Sequence, residues 1–281
     1  MSRHDIQHDL SSTFMGFVSP EWLESHLGEA DLRIVQLDGE KYYYNFHIPG
    51  ASQIGYGKLV TKRREVPGML ADAEDLAATF GQLGIGNTTP VVAYDLTGGL
   101  DAARLLWSLA VGGHVGFRAV LDGGLNVWYS DNRPMEAAVP EVERRLFQWH
   151  EERRWNITHE EVMAIALGDR DAVLVDTRSE KEYLGQTQRH PRGHIPGAIH
   201  YDWTDSLMGP RDVRLKDRAL IEKNLVDLGL ADQQREVVVY CETAHRAAHT
   251  WLLLHDLGYT HVRLYDGSMA EWRVLELPVT I

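Results

Sequence analysis

The chain has 281 residues, a length that suits two domains or one large one. With 44% hydrophobic and 25% charged residues it can build a sizeable core in water. A net charge of −13 argues against general binding to nucleic acid or anionic membranes, so any attraction for a small anion has to be local.

In chain order, the first fourteen residues carry charges and no apolar run, unlike a secretory signal. Ser19-Pro20-Glu21-Trp22 reads as a helix start, with proline at the first helical position. Short apolar runs at 32–37 and 91–94 are rich in Val and Ile and do not alternate, which suits strands buried on both faces of a parallel sheet. A loop at 95–100 then leads into a helix expected near Asp101. Residues 131–155 hold Pro134, Pro140 and two charged runs, and read as a linker along the surface. Thr158-His159-Glu160-Glu161 is a capping box that opens a second set of elements. Further apolar runs at 172–175 and 237–240 follow the first two in kind. Cys241 comes directly after the last run, and a helix expected near Ala247 continues to Leu257, before Gly258. No run of about 18 apolar residues occurs, so no membrane helix is expected and the location expected is cytoplasmic.

The chain repeats itself in order. FHIPGA at 46–51 returns as GHIPGA at 193–198, VVAYD at 91–95 as VVVYC at 237–241, and LDGGLNVW at 121–128 as YDGSMAEW at 265–272. Asp38 pairs with Asp176 at an offset of 138, whereas His47 pairs with His194 at 147, so the second copy carries about nine extra residues at 184–192. That insertion, with Arg189, His190 and Arg192, is expected to be a loop. Alternating strands and helices, twice over, imply two similar α/β domains: 1–135, then a linker at 136–155, then 156–281.

The chemistry is expected in the second copy. In open α/β sheets ligands bind beyond the carboxyl ends of strands, and Cys241 sits there, in a strand–loop–helix turn. Such a loop turns several backbone N–H groups toward one point, and the helix N-terminus adds positive potential. Arg246 adds a full charge, and His245 adds another when protonated. Together they favour the thiolate, the reactive form of cysteine. Asp95 holds the same place in the first copy and cannot carry sulfane sulfur, so that copy is expected to be non-catalytic. A lone cysteine forms no internal disulfide, which fits a reducing compartment. Two other readings of the loop fit its residues less well. Cysteine phosphatases place five residues between Cys and Arg, against four here. A zinc site built on Cys241, His245 and His249 lacks an evident fourth ligand. Asp176 and Arg178 end a strand beside the site and either support the loop or serve the fold. His47, His194, Asp122 and Asp266 recur in both copies and are expected to be structural.

These residues resemble the rhodanese superfamily over nearly the whole chain. The resemblance is carried by GHIPGA at 193–198, Asp176-Thr177-Arg178 with Glu182-Tyr183, the loop 241–246, and YDGSMAEW at 265–272. Within the superfamily the loop is most similar to the bacterial thiosulfate:cyanide sulfurtransferases of the Azotobacter type. The resemblance implies two tandem rhodanese-like domains, each with a mainly parallel five-stranded sheet flanked by helices. It implies Cys241 as a persulfide-forming nucleophile, with Glu242, Thr243, Ala244, His245 and Arg246 as a substrate-binding loop and Asp176 and Arg178 in support. It implies a small anionic sulfur donor, a nucleophilic or thiol acceptor, no cofactor or metal, and a monomer. Use of 3-mercaptopyruvate, or delivery of sulfur or selenium to a protein partner, stays open. Glu242 and Glu182 stand where the vertebrate thiosulfate enzymes carry basic residues, so those donor contacts do not transfer.

Overall fold

The computed structural model describes residues 9–37, 39–188 and 192–281. Asp38, Arg189 and His190, named above, lie outside the described residues. The first copy runs β1 (Met15–Val18), α1 (Pro20–Ser25), β2 (Arg33–Leu37), α2 (Glu40–Tyr43), β3 (Ala51–Ile54), a hairpin of β4 (Val60–Arg63) and β5 (Val66–Leu70), α3 (Ala73–Gln82), β6 (Val91–Tyr94), α4 (Leu100–Val111), β7 (Arg118–Leu121) and α5 (Gly124–Ser130). The second runs α6 (His159–Ala166), β8 (Val173–Asp176), α7 (Glu180–Tyr183), β9 (Ile199–His200), α8 (Arg218–Asp227), β10 (Val237–Tyr240), α9 (His245–Asp256), β11 (Val262–Leu264) and α10 (Ser268–Val274).

The helix starts form as their sequences predict. The Ser19 hydroxyl accepts a hydrogen bond from the Trp22 amide at 3.1 Å. At α6 the Thr158 hydroxyl accepts from the Glu161 amide, and the Glu161 carboxylate accepts from the Thr158 amide at 3.1 Å. Helices α4 and α9 begin one and two residues earlier than expected, at Leu100 and His245.

The chain forms two compact units. The first holds a sheet ordered β1-β7-β6-β2-β3, parallel throughout. Every residue of β6 and β7 is buried, as expected of strands covered on both faces. Residues through Glu152, expected above as a linker from 136, group with this unit, the Arg145 amide donating to Gly81 O at 3.0 Å and Phe147 being buried against Phe80. The second unit holds a parallel sheet ordered β11-β10-β8-β9. Five strands are therefore present in the first sheet and four in the second. The missing edge is reduced to one isolated parallel bridge, Asn156 to Leu264, because the chain turns into the α6 capping box immediately afterwards.

Each unit takes a segment from the other half of the sequence. The β4–β5 hairpin belongs to the second unit, and residues 207–217 belong to the first. The recurring aspartates hold these arms by the same device. Asp266 Oδ2 accepts from the Leu70 amide at 2.8 Å, and Asp122 Oδ1 accepts from the Leu215 amide at 2.8 Å. A buried carboxylate that accepts a backbone N–H satisfies both groups, which gives these two aspartates a structural role. The paired histidines are structural as well. His47 stacks on Tyr43 and bonds its carbonyl at 2.7 Å; His194 stacks on Tyr183 and bonds its carbonyl at 2.9 Å.

Candidate active site

Strand β10 delivers Cys241 to the floor of the turn before α9, where the residue is only 1% exposed. The three residues between it and the helix are Glu242, Thr243 and Ala244. Ala244 caps α9 in the left-handed conformation, with φ of +61°. A side chain is disfavoured there by about 1–2 kcal/mol, so the loop has to be held in place from outside. Backbone bonds supply part of that hold: the Met269 amide donates to Cys241 O at 3.1 Å and the Ala270 amide to Glu242 O at 3.0 Å. Ser268 supplies another part. Its hydroxyl oxygen accepts from the Cys241 amide at 3.2 Å and the Ala244 amide at 3.1 Å, while its proton goes to Tyr265 O at 2.8 Å.

The first copy shows what this fold position collects. Asp95 is 1% exposed, and its carboxylate accepts from the amides of Thr97, Gly99 and Ala102 at 2.8, 2.8 and 3.0 Å. Three N–H groups therefore converge on the side chain that follows the strand, as in an anion-binding nest. Burial pushes the Asp95 carboxyl up, and these three amides pull against that rise. The loop of the second copy is one residue shorter, has Cys241 in the place of Asp95, and directs the amides of Cys241 and Ala244 to Ser268.

The charged side chains around Cys241 are paired. Arg246 is half-buried and donates to both oxygens of Glu182, at 2.7 and 3.0 Å. Burial alone would lower the basicity of Arg246. Its hydrogen bonds to Glu182, together with the charge and acceptor sulfur of Cys241, raise it instead. Glu182 in turn accepts from the Ser179 amide at 3.2 Å and its hydroxyl at 2.7 Å. Burial works to raise the Glu182 carboxyl, but Arg246 and Ser179 hold it down at about 2. Glu242 pairs with Arg273 of α10, which ties this acidic side chain to the helix. Thr243 lies against Gly68 of the β4–β5 hairpin, so closely that a Cβ at Gly68 would come within 2.7 Å of Thr243 Cβ. His245 is the first residue of α9 and is half-buried.

Asp176 and Arg178 form a buried pair one strand away. Arg178 donates to both Asp176 oxygens, at 3.0 and 2.6 Å, and to Gly193 O at 2.8 Å. Burial works against the charged Arg178, and Asp176 more than restores it. The pair thus ties the end of β8 to GHIPGA. Its hydrogen bonds run within the pair and to Gly193, away from the Cys241 loop. His249 is buried in α9 with its ring 5.3 Å from that of Trp203. Among the described residues, no three His, Cys, Asp or Glu side chains are grouped as a metal site would require. Arg192 of the insertion is exposed.

Sequence reasoning brought together Cys241, Arg246 and the loop. Besides Arg273, which pairs with Glu242, it does not show three further neighbours. Ser268 lies inside the repeated YDGSMAEW motif, and its replacement of Gly124 of the first copy is the available signal. Glu182 was noticed as a departure and not as the partner of Arg246. Gly68 gave no signal, because it reaches the site from the other half of the chain.

The chain is thus a duplicated parallel α/β unit whose second copy carries a buried cysteine at a strand end, with Arg246 following in the turn into the next helix. The Rhodanese-like domain profile matches residues 19–131 and 158–274, and the chain belongs to that family. It is 35% identical over 258 residues to a thiosulfate sulfurtransferase of Pseudomonas aeruginosa, covering 91% of this chain and 93% of the relative. A thiosulfate sulfurtransferase of Azotobacter vinelandii is 32% identical with the same coverage. The sulfur carrier protein TtuD of Thermus thermophilus is 30% identical, covering 91% and 92%. Among solved structures, the 3-mercaptopyruvate sulfurtransferase SseA of Escherichia coli superposes with a TM-score of 0.79 at 26% identity, covering 91% and 99%. No described helix is long and apolar enough to cross a membrane.

Proposed function

We propose that this protein is a thiosulfate sulfurtransferase in which Cys241 carries sulfur as a persulfide, within a catalytic half spanning 156–281 and beside a non-catalytic half spanning 1–135. The observation that carries the reading is the contrast between the two loops. The first copy fills its amide nest with the Asp95 carboxylate. The second places a thiol at the same position and adds Arg246.

The Cys241 thiolate attacks the outer sulfur of thiosulfate. A new S–S bond forms, the old one breaks, and its electron pair leaves on sulfite. Arg246 stabilises the anionic outer sulfur of the persulfide. Cyanide or a thiolate then takes that sulfur and returns Cys241 as thiolate, a double displacement with ping-pong kinetics. The depth of Cys241 favours a donor with a single protruding sulfur. Thiosulfate sulfurtransferases also stand among the relatives with the higher identities.

The test is intact mass after exposure to thiosulfate. A gain of about 32 Da on Cys241 that cyanide removes supports the reading, since the intermediate is covalent. Cys241→Ser abolishes both the adduct and the thiocyanate product and leaves the unfolding midpoint in place. Transfer that survives the substitution overturns the reading. An adduct that forms but is passed only to a protein thiol, and never to cyanide, assigns the chain to the sulfur carriers.

A further inference from the structure

We propose that Ser268 is a positioning residue that holds Ala244 in its left-handed conformation and so keeps the interior of the Cys241 loop open for sulfur. The inference deepens the persulfide reading and rests on it for the identity of the cargo, though not for the geometry.

The two copies solve one problem in two ways. Two backbone bonds set the correspondence of their turns. The Leu125 amide donates to Asp95 O as the Met269 amide donates to Cys241 O, and the Ala103 amide donates to Gly99 O as the Ala248 amide donates to Ala244 O. Gly99 and Ala244 are therefore the same capping position, and Gly124 and Ser268 face the loop from the same turn. Both capping residues are left-handed, with φ of +92° at Gly99 and +61° at Ala244.

In the first copy glycine adopts this conformation at no steric cost. Its amide is accepted from inside the loop, by Asp95 at 2.8 Å. Gly124 stands opposite with no side chain, and a Cβ there would come within 2.4 Å of Asp95 O. In the second copy the cap is alanine, for which the left-handed region is unfavourable. The residue inside the loop is a cysteine, a far weaker acceptor than a carboxylate. The capping amide is instead accepted from outside, by Ser268 Oγ at 3.1 Å, and the same oxygen also takes the Cys241 amide at 3.2 Å. Ser268 itself is left-handed, with φ of +49°, a strained conformation for serine. The first copy thus pairs Gly99 with Gly124 around an internal carboxylate, and the second pairs Ala244 with Ser268 around a thiol. One serine hydroxyl accepts the capping amide that Asp95 accepts in the first copy, so the side chain following the strand is not needed for that bond and is free to be the sulfur-bearing cysteine.

The experiment is a double-mutant cycle on the full-length protein with Ser268→Gly, Ala244→Gly and the two combined. Glycine suits the backbone at both positions, and Ser268→Ala is carried alongside should the glycine variant fold poorly. Two rates are read: sulfur loading from thiosulfate in a single turnover, and alkylation of Cys241 by iodoacetamide at pH 7, with unfolding midpoints as control. Removing the hydroxyl from the wild-type background slows both rates about tenfold, the scale set by the cost of a left-handed L-residue. In the Ala244→Gly background the same removal costs less than about threefold, because glycine needs no support there. Equal losses in the two backgrounds, or no loss in either, overturn the proposal. A hydroxyl that merely satisfied two amides would give equal losses, since glycine at 244 restores no acceptor. If the wild-type protein fails to load sulfur, the persulfide reading falls, and the alkylation cycle still decides the role of Ser268.

Discussion

Replacing Glu182 by glutamine tests the electrostatics of the site at one atom pair. The carboxylate accepts two hydrogen bonds from Arg246 at 2.7 and 3.0 Å, with side chains 23% and 16% exposed. Its carboxyl titrates at about 2 in place of 4.5. By linkage that difference corresponds to about 3 kcal/mol, and allowing for the water that reaches the pair leaves about 2–3 kcal/mol. A depressed carboxyl stabilises the fold fully above its unfolded value, and that stability is lost as pH falls toward about 2. Glu182→Gln therefore costs most at neutral pH, and less than about half of that cost persists at pH 3. Urea unfolding of both proteins at pH 7, 5 and 3, followed by circular dichroism, gives the three differences. A cost below about 0.5 kcal/mol at pH 7 refutes the reasoning, because an exposed pair contributes no more. So does a cost that is equal at pH 7 and pH 3.

Arg246→Ala removes the cation shared by Cys241 and Glu182. It lowers kcat/KM for thiosulfate by about tenfold or more, the scale of one charge-assisted contact, in a steady-state thiocyanate assay. Gly68→Ala lowers the unfolding midpoint and slows sulfur loading. Its φ is +76° and the added Cβ would meet Thr243 Cβ at 2.7 Å, so backbone strain and displacement of the loop act together. Unchanged kinetics in that variant would show that the hairpin does not bear on the site. Thr158→Ala removes one side of the α6 capping box, lowers stability by about 1 kcal/mol in urea unfolding, and leaves sulfur transfer untouched.

Much of the architecture was legible in the sequence because its signals are local or repeated. The buried runs at β6 and β10, the Ser19 and Thr158 caps and the ordered motifs each declare themselves within a few residues. The repeat also supplied an internal control, Asp95 against Cys241, which singled out one loop before any geometry was known. Other features depend on where distant segments meet. The pairing of Arg246 with Glu182 joins residues 64 apart, and the Leu70 amide reaches Asp266 across 196. Periodicity and propensity carry no record of such meetings, because they describe a segment's own backbone and not its neighbours.

Cys241 was therefore placed on its turn by the sequence alone: a strand end, a short loop and a helix start are written in consecutive residues. Only the tertiary structure decided what surrounds the sulfur. It brought Glu182 to Arg246, Arg273 to Glu242, Gly68 to Thr243 and Ser268 to the amides of the loop. The physical reason is that a buried charge or amide has to find a partner, and the fold supplies that partner from whichever segment passes closest.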